Sequence, residues 1–293
     1  MHLISNLAYH LVHINRIIYR ITPKYHIDCH QYNQVKILLL DGIMEGVILA
    51  AGYGSRLRSI ASGPKFLIDI NGKPLIYYPL YSMAKIGVNK VYVVVNYDNL
   101  EYILKFKNNL ELNIDIRVVV NEEPQRGNGY SLYTARKVVR EDQFILSMSD
   151  HIYPAKVLEK VIEFKKIFAG DAEVVVGGDS IPRFIDVDEA TKILADSDFN
   201  LINIGKDLVN YTHIDIGVFM MSRNVFYYAA EYFRNYFEAG LSKLIKWFKN
   251  RGLRVKVCDI EGVPWKDIDT PEDLYMVLMG EYREVLNIWE RGV

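Results

Sequence analysis

The chain has 293 residues, about half of them hydrophobic and a quarter charged, and its 35 basic residues are matched by 36 acidic ones. This composition is typical of a globular protein with a large core, and the balanced charge argues against a broad basic surface for nucleic acid. The two cysteines, Cys29 and Cys258, lie far apart and predict free thiols in a reducing cytoplasm. No apolar run approaches the ~20 residues needed to span a bilayer.

Residues 1–43 differ from the remainder of the chain. They hold five of the seven histidines, show little periodicity and lack the pattern of a signal peptide. Met44 stands directly before the first strand pattern. We therefore predict an N-terminal extension over 1–43, either disordered or the product of a mis-assigned start, and one folded domain over 44–293.

The strongest motif is EGVILAAGYGSRLRSIASGPKFL at 45–67. Its apolar run at 47–51 is typical of a buried parallel strand, and a glycine-rich turn follows at once. Gly52 and Gly54 carry no Cβ, so the backbone N–H groups of this turn can approach a phosphate closely. The segment predicts a phosphate-binding loop, although a tight turn from strand to helix explains a bare Gly-x-Gly equally well.

Two basic side chains, Arg56 and Lys65, follow this loop and predict a ligand with several phosphates. The loop lacks the third glycine of a dinucleotide fingerprint, because Leu57 stands in that position. It also lacks the Gly-Lys-Ser/Thr sequence of a Walker A loop. The sequence thus indicates a polyphosphate site of another class.

Strand and helix patterns alternate after the loop. The predicted strands are 91–95, 116–120, 144–148 and 173–176, and the predicted helices are 74–86, 100–110, 129–139 and 154–169. This alternation predicts an α/β fold of the doubly wound, Rossmann-like kind, with a mostly parallel sheet and helices on both faces.

The second half of the chain is less regular. The stretch from 179 to 215 has a less regular pattern, and strands are predicted after it at 218–221 and 254–257. A helix at 224–237 is rich in Tyr and Phe, which indicates core packing or a subunit contact. The last predicted helix begins at Thr270, with Thr as N-cap and Pro271 in the first helical position.

Three aspartates are candidate ligands of a metal ion. Asp150 follows the strand 144–148, at the sheet edge where open α/β folds bind ligands. Asp267 and Asp269 lie two residues apart and project to one side if the segment is extended. Mg²⁺ is often held by one or two carboxylates together with substrate phosphates. We favour Asp150 with Asp267 as the ligands and keep Asp269 as the second choice. The alternatives are that Asp150 caps the next turn and that Asp269 caps the helix that begins after it.

A glycine-rich segment, NEEPQRGNGYSL, supplies a candidate site for a nucleobase. Gly127 precedes Asn128 at the start of a predicted helix, where backbone groups can read the edge of a base. Asn121 and Asn128 offer both donors and acceptors. A plain glycine-rich turn is the alternative.

Together these motifs resemble the nucleoside-triphosphate transferase family, which activates sugar and polyol phosphates, and within it the archaeal CTP:inositol-1-phosphate cytidylyltransferases. The resemblance covers 45 to about 280. The segments that carry it are AAGYGSRL with GPKFL, NEEPQRGNGYSL, MSDHIY, PRFIDVDEATKI, INIGKDL and PWKDIDTPEDL.

The resemblance implies a nucleotidyltransferase domain over 44–293 that converts CTP and inositol 1-phosphate into CDP-inositol and pyrophosphate, with Mg²⁺ as cofactor. It assigns catalysis to Lys65 and Arg56, and acceptor binding to Lys206, with Arg183 and Asp215 as weaker candidates. A surface lysine is the alternative for Lys206. It assigns nucleotide binding to Leu49, Ala50, Ala51, Gly52, Gly54, Ser55, Asn121, Gly127 and Asn128.

The resemblance also implies partners. It predicts a cytoplasmic homodimer with a functional link to a separate membrane phosphotransferase that uses CDP-inositol. Two other functions stay open at this point. One is a nucleotidyltransferase for another acceptor, such as a sugar 1-phosphate or phosphocholine, and the other is a non-catalytic nucleotide-sensing module.

Overall fold

The computed structural model describes residues 44–57 and 63–291. The predicted extension over 1–43, including Cys29, lies outside the described residues. The strands are β1 (Glu45–Leu49), β2 (Asp69–Ile70), β3 (Lys73–Pro74), β4 (Lys90–Val95), β5 (Asp115–Val120), β6 (Gln143–Met148), β7 (His151–Ile152), β8 (Val174–Asp179), β9 (Lys192–Ala195), β10 (Leu201–Gly205), β11 (His213–Ser222), β12 (Val255–Asp259) and β13 (Lys266–Asp267).

Helices connect and flank these strands. They are α1 (Tyr77–Lys85), α2 (Leu100–Asn108), α3 (Asn128–Ala135), α4 (Ala155–Ile167), α5 (Val225–Asn235), α6 (Leu241–Asn250), α7 (Pro271–Leu278) and α8 (Arg283–Arg291). In the part of the chain that is described, no helix combines the length and the apolar character needed to cross a membrane.

Within the described ranges the central sheet has nine strands, and β1 lies in its middle between β4 and β6. The contacts of β1 with β4 and β6, and of β4 with β5, are parallel. The long strand β11 runs antiparallel to β6, β8 and β9, and β10 runs antiparallel to β9. Since β12 is parallel to β8, only β10 and β11 oppose the common direction of this sheet. The predicted doubly wound, mostly parallel α/β fold is therefore confirmed.

Alternate residues of β1 pack on opposite faces of the sheet, as the strand period requires. Val47 and Leu49 belong to a core cluster that includes residues of α3, α5 and α6. On the other face, a Cβ on Gly46 would lie 2.8 Å from the sulfur of Met83, so helix α1 packs directly against this part of β1. Helices cover both faces of the sheet, which leaves the edge at the carboxyl ends of the parallel strands as the place where a ligand can bind.

The second half differs from the prediction. The stretch 179–215 contains the antiparallel pair β9 and β10, and helices α6 and α8 were not predicted. Helix α1 begins at Tyr77, later than predicted, because Lys73 and Pro74 pair with β2 in a short hairpin. The aromatic helix α5 contributes Phe226 and Tyr232 to the core, whereas Tyr227 is exposed.

Candidate functional site

The glycine loop leaves the carboxyl end of β1 and is held by neighbouring asparagines. The backbone N–H of Ala50 donates to the carbonyl of Val94 at 2.8 Å, which continues the sheet by one residue. The side chain of Asn96 donates to the carbonyl of Ala51 at 2.9 Å, and that of Asn99 to the carbonyl of Ala50 at 3.3 Å. Neither asparagine was predicted as a site residue from the sequence, and both hold the start of the loop from the segment that follows β4.

Gly54 explains how Lys65 comes to lie beside the loop. Its φ of 57° is in the left-handed region, and a Cβ there would lie 2.8 Å from the Cβ of Lys65. Only glycine combines this backbone conformation with so close an approach at low cost. The glycine predicted to admit a phosphate thus also admits the lysine.

A cavity of about 320 Å³ opens at this edge of the sheet. The predicted site residues that line it are Leu49, Ala50, Ala51, Gly52, Gly54, Ser55, Arg56, Lys65, Gly127, Asn128, Asp150, Lys206 and Asp269. The other lining residues, which were not predicted from the sequence, are Phe66, Pro124, Ser131, Met148 and Ser149. Elements far apart in the chain therefore converge on one cavity.

Cations and carboxylates are paired with one another at this cavity. The Lys65 ammonium donates to Asp150 Oδ2 at 2.6 Å and also to Asp269 Oδ1. Arg56 Nη1 lies 3.7 Å from Asp269 Oδ2 and 3.7 Å from Glu189 Oε2. The two predicted phosphate-binding cations are thus both paired with carboxylates in this structure.

The ion pair between Lys65 and Asp150 governs the charge of both groups. Burial by itself lowers the pKa of Lys65, but the carboxylates of Asp150 and Asp269 outweigh it and raise that pKa. Burial likewise raises the pKa of Asp150, yet the Lys65 ammonium and His151 hold it well below its usual range. Both side chains are therefore charged across the neutral range.

Asp269 and Asp267 are placed differently. Asp269 lines the cavity, whereas Asp267 belongs to β13, pairs with His151 of β7, and accepts a hydrogen bond from Lys266 at 3.1 Å. The geometry favours Asp269 as the partner of Asp150, the reverse of the sequence-based preference. The strand ends at Asp267, so its alternation does not extend to Asp269.

The donor set fits a divalent cation bound together with phosphates. No group of three or more His, Cys, Asp or Glu side chains suited to a metal occurs within 44–57 and 63–291. Two carboxylates, those of Asp150 and Asp269, meet at the cavity and share one ammonium. Mg²⁺ commonly takes one or two carboxylates plus phosphate oxygens and water, which this pair can supply.

The glycine-rich segment is shaped largely by packing against residues 239–241. Gly127 has a φ of 87°, and a Cβ there would lie 2.4 Å from the carbonyl oxygen of Ala239. The backbone N–H of Gly129 donates to that same oxygen at 3.0 Å. Asn128 Oδ1 accepts the backbone N–H of Leu241 at 2.6 Å, so this side chain caps α6.

Asn121 does not reach the cavity. It is fully buried, donates to Ser131 Oγ at 3.0 Å, and accepts the backbone N–H of Glu123 at 3.0 Å. Ser131 lines the cavity in its place. The asparagine therefore supports the wall of the cavity through the serine and makes no direct contact with its contents.

The predicted acceptor residues separate into two groups. Lys206 lines the cavity, as do Arg56 and Lys65 of the loop region. Arg183 lies elsewhere. Its Nη2 donates to the carbonyl of Gly262 at 3.1 Å, and its Nη1 forms an ion pair with Glu284 Oε1 at 3.6 Å. Asp215 also lies off the cavity, where burial raises its pKa to about 6 although it accepts the N–H of Gly217 at 2.9 Å.

The chain is similar to known proteins in sequence and in fold. Residues 46–181 match the family model described as the MobA-like NTP transferase domain. The chain is 34% identical over 233 residues to a bifunctional IPC transferase and DIPP synthase of Archaeoglobus fulgidus, which covers 79% of this chain and 42% of the relative. A protein of the same name from Aquifex aeolicus is 32% identical, covering 78% of this chain and 49% of the relative. The chain thus spans less than half of either relative.

A solved structure is similar over most of its length. It is the inositol-1-phosphate CTP transferase from T. maritima, with a TM-score of 0.76 and 28% sequence identity. The similarity covers 86% of this chain and 98% of that protein. Nearly all of that chain is therefore matched by this one.

Proposed function

We propose that this chain, whose residues 46–181 match the model of the MobA-like NTP transferase domain, is a cytidylyltransferase that makes CDP-inositol and pyrophosphate from CTP and inositol 1-phosphate. One observation carries the proposal: the glycine loop, Lys65 and two carboxylates meet at one cavity. The names of the similar proteins, which include an inositol-1-phosphate CTP transferase, support the choice of substrates.

In this proposal the loop at 50–55 receives the triphosphate. Its backbone lies at the end of β1, and Arg56 and Lys65 stand beside it. These two cations exchange their carboxylate partners for phosphate oxygens when the nucleotide binds. They then offset the charge that develops on the transferring phosphoryl group and on the leaving pyrophosphate.

The nucleoside lies toward the other lining segment, that of Gly127, Asn128 and Ser131. The backbone of this segment is fixed by its contacts with residues 239–241, so its polar groups are preorganised for a base. The hydroxyl of Ser131 accepts from Asn121, which leaves its own proton available for donation into the cavity.

The reaction requires little proton transfer. An oxygen of the acceptor phosphate, already anionic near neutral pH, attacks the α-phosphorus, and the bond from that phosphorus to the bridging oxygen of pyrophosphate breaks. We assign the acceptor phosphate to Lys206, which lines the cavity, and leave out Arg183 and Asp215 because neither lines it. Positioning and charge compensation then supply the rate enhancement.

Asp150 and Asp269 are the residues that would hold Mg²⁺. The ion, when bound, neutralises phosphate charge and helps to orient the triphosphate. In this structure the Lys65 ammonium occupies the space between the two carboxylates, so these side chains already form a site for positive charge.

The test is pyrophosphate release with Mg²⁺, crossing CTP, UTP, GTP and ATP with inositol 1-phosphate, glucose 1-phosphate and phosphocholine. We expect turnover with CTP and inositol 1-phosphate alone, lost in Lys65→Ala and Asp150→Ala. Asp198→Ala, at an exposed aspartate remote from the cavity lining, is the matched control and should retain full activity.

Other outcomes select other functions. Turnover with a different pair keeps the reaction and replaces the substrate, for example by a sugar 1-phosphate or phosphocholine. Binding of CTP without pyrophosphate release in any combination favours a nucleotide-sensing module. The homodimer and the cytoplasmic location stay predictions, and light scattering of the purified chain tests the first.

A further inference from the structure

His151 lies directly behind the cavity and contacts Asp150. Its Nδ1 is 2.6 Å from Asp150 Oδ1, and its side chain is only 12% exposed. The other carboxylate oxygen, Oδ2, accepts from Lys65. The two oxygens of Asp150 thus have separate partners, one behind the site and one within it.

The imidazole is held on one side by an aromatic stack. Its ring is parallel to that of Trp265, with an angle of 6° and 5.9 Å between centroids. Trp265 is itself buried and donates from its indole nitrogen to Asp179 Oδ2 at 2.9 Å. Since Asp179 is also buried, the stack is anchored in the protein interior.

On another side the backbone of β11 lies close to the imidazole ring at a glycine. Gly217 has a φ of 67°, and a Cβ there would lie 2.6 Å from His151 Nε2. The pairing of β11 with β8 shifts register between Asp215 and Phe219, so the glycine sits in an irregular part of the strand. A glycine inside a strand costs stability through its conformational freedom, and this one stands where any Cβ would collide with the imidazole, which indicates that the position of the ring is specified rather than incidental.

We propose that His151 is a positioning residue for Asp150: it donates from Nδ1 to Oδ1, and so fixes the carboxylate with Oδ2 facing Lys65 and the cavity. This rests on the proposed function for its catalytic consequence. A ring held only for packing would need no polar atom at Nδ1. The short contact to Asp150 is what distinguishes the two roles.

A pair of substitutions separates them. His151→Phe keeps an aromatic ring for the stack and removes the donor, whereas His151→Asn loses the ring and places an amide N–H near the position of Nδ1. For His151→Phe we expect kcat to fall about 10- to 100-fold, with KM for CTP changed much less. In His151→Asn kcat should recover to within several-fold of the wild-type value.

A second readout does not depend on turnover. In the nitrogen NMR spectrum of the free protein we expect the His151 proton on Nδ1, and its signals to shift in Asp150→Asn. Binding of Mn²⁺ with CTP, followed by electron paramagnetic resonance, should weaken in His151→Phe. His213→Phe is the matched control, since His213 bonds to Thr212 and not to Asp150, and it should leave all these measurements unchanged.

The proposal is overturned if His151→Phe keeps the wild-type kcat, or if both variants are equally slow while melting like the wild type. It is also overturned if Nδ1 carries no proton and the ring proton resides on Nε2 alone, a result that stands even where His151→Phe does not fold. Absence of turnover in the wild-type protein with every substrate pair would instead refute the proposed function, and the NMR experiment would still decide the His151–Asp150 contact.

Discussion

Two acidic side chains at opposite ends of the sheet show how one type of contact serves two purposes. Glu45 opens β1, and Asp150 lies just beyond the carboxyl end of the adjacent parallel strand β6. Each is paired with a lysine, Glu45 with Lys90 at 3.3 Å and Asp150 with Lys65 at 2.6 Å. Their surroundings differ, and so does their expected role.

Glu45 is wholly enclosed and has all its partners within the protein. Besides Lys90 it accepts from the hydroxyl of Tyr92 at 2.9 Å and from the backbone N–H groups of Arg140 and Glu141 at 2.7 and 3.1 Å. Asp150 faces a cavity, and its lysine is shared with a second carboxylate. A carboxylate with a complete set of donors stabilises the fold, whereas one with a shared partner can exchange it for a ligand.

The sharpest test of this comparison replaces each of the two lysines, in separate variants, by methionine. Lys65→Met should lower kcat about 10³-fold, because a cation aimed at the phosphates is lost. Lys90→Met should keep kcat and lower the thermal midpoint. Pyrophosphate release and thermal unfolding of both variants check this, and a Lys90→Met enzyme as slow as Lys65→Met would contradict the division.

Removal of the enclosed carboxylate should cost stability rather than activity. Glu45→Ala leaves the Lys90 ammonium, a buried hydroxyl and two backbone donors without their acceptor, so we expect a loss of about 3 kcal/mol in the free energy of unfolding. Urea titration measures it. Glu101→Ala removes a glutamate of an exposed pair on α2 and should leave the midpoint where it is. The folded fraction of Glu45→Ala should turn over at the wild-type rate.

Asp267, at the end of β13, and Asp269, two residues further on, sharpen the comparison within the site. Asp269→Asn should lower kcat about 10²-fold, because this carboxylate lines the cavity and contacts Lys65. Asp267→Asn, outside the cavity, should have a much smaller effect. Titration of Mg²⁺ at saturating CTP for both variants checks the order. The reverse order would restore the preference drawn from sequence.

The smallest effect concerns acid. Burial raises the pKa of Glu45, but its backbone donors, Tyr92 and Lys90 outweigh this and lower it below the ordinary value of 4.5. A carboxyl group with a lowered folded-state pKa stabilises the protein above its unfolded-state pKa, and this stability is lost as pH falls through the folded-state value. Glu45→Gln should therefore lose less stability than the wild type between pH 4.5 and more acidic conditions. If the thermal midpoints of Glu45→Gln and of the wild type fell equally as the pH is lowered, the assignment would be contradicted.

The sequence was sufficient for the parts of the site that depend on local patterns. The glycine loop, Lys65 and Asp150 follow strands whose apolar runs are unmistakable, and parallel strands bring their carboxyl ends to one edge. Asn128 shows where such reasoning stops. Its side chain caps α6 through Leu241, and no local pattern reveals a partner more than a hundred residues away.

Elements of the second half were harder to predict for a similar reason. Strand β9 has four residues, too few for alternation to stand out, and it forms by pairing with β10 and β11. The choice between Asp267 and Asp269 depended on where β13 ends. That end is set by pairing with β7 and is not written in the local sequence.

The stack of His151 on Trp265 also has an optical consequence. The chain contains three tryptophans, and Trp265 is the one whose ring contacts a group bonded to the site. A shift of the imidazole on ligand binding changes the surroundings of that indole directly. Replacement of Trp247 and Trp289 by phenylalanine would leave an intrinsic fluorophore whose emission reports the occupancy of the cavity without any added label.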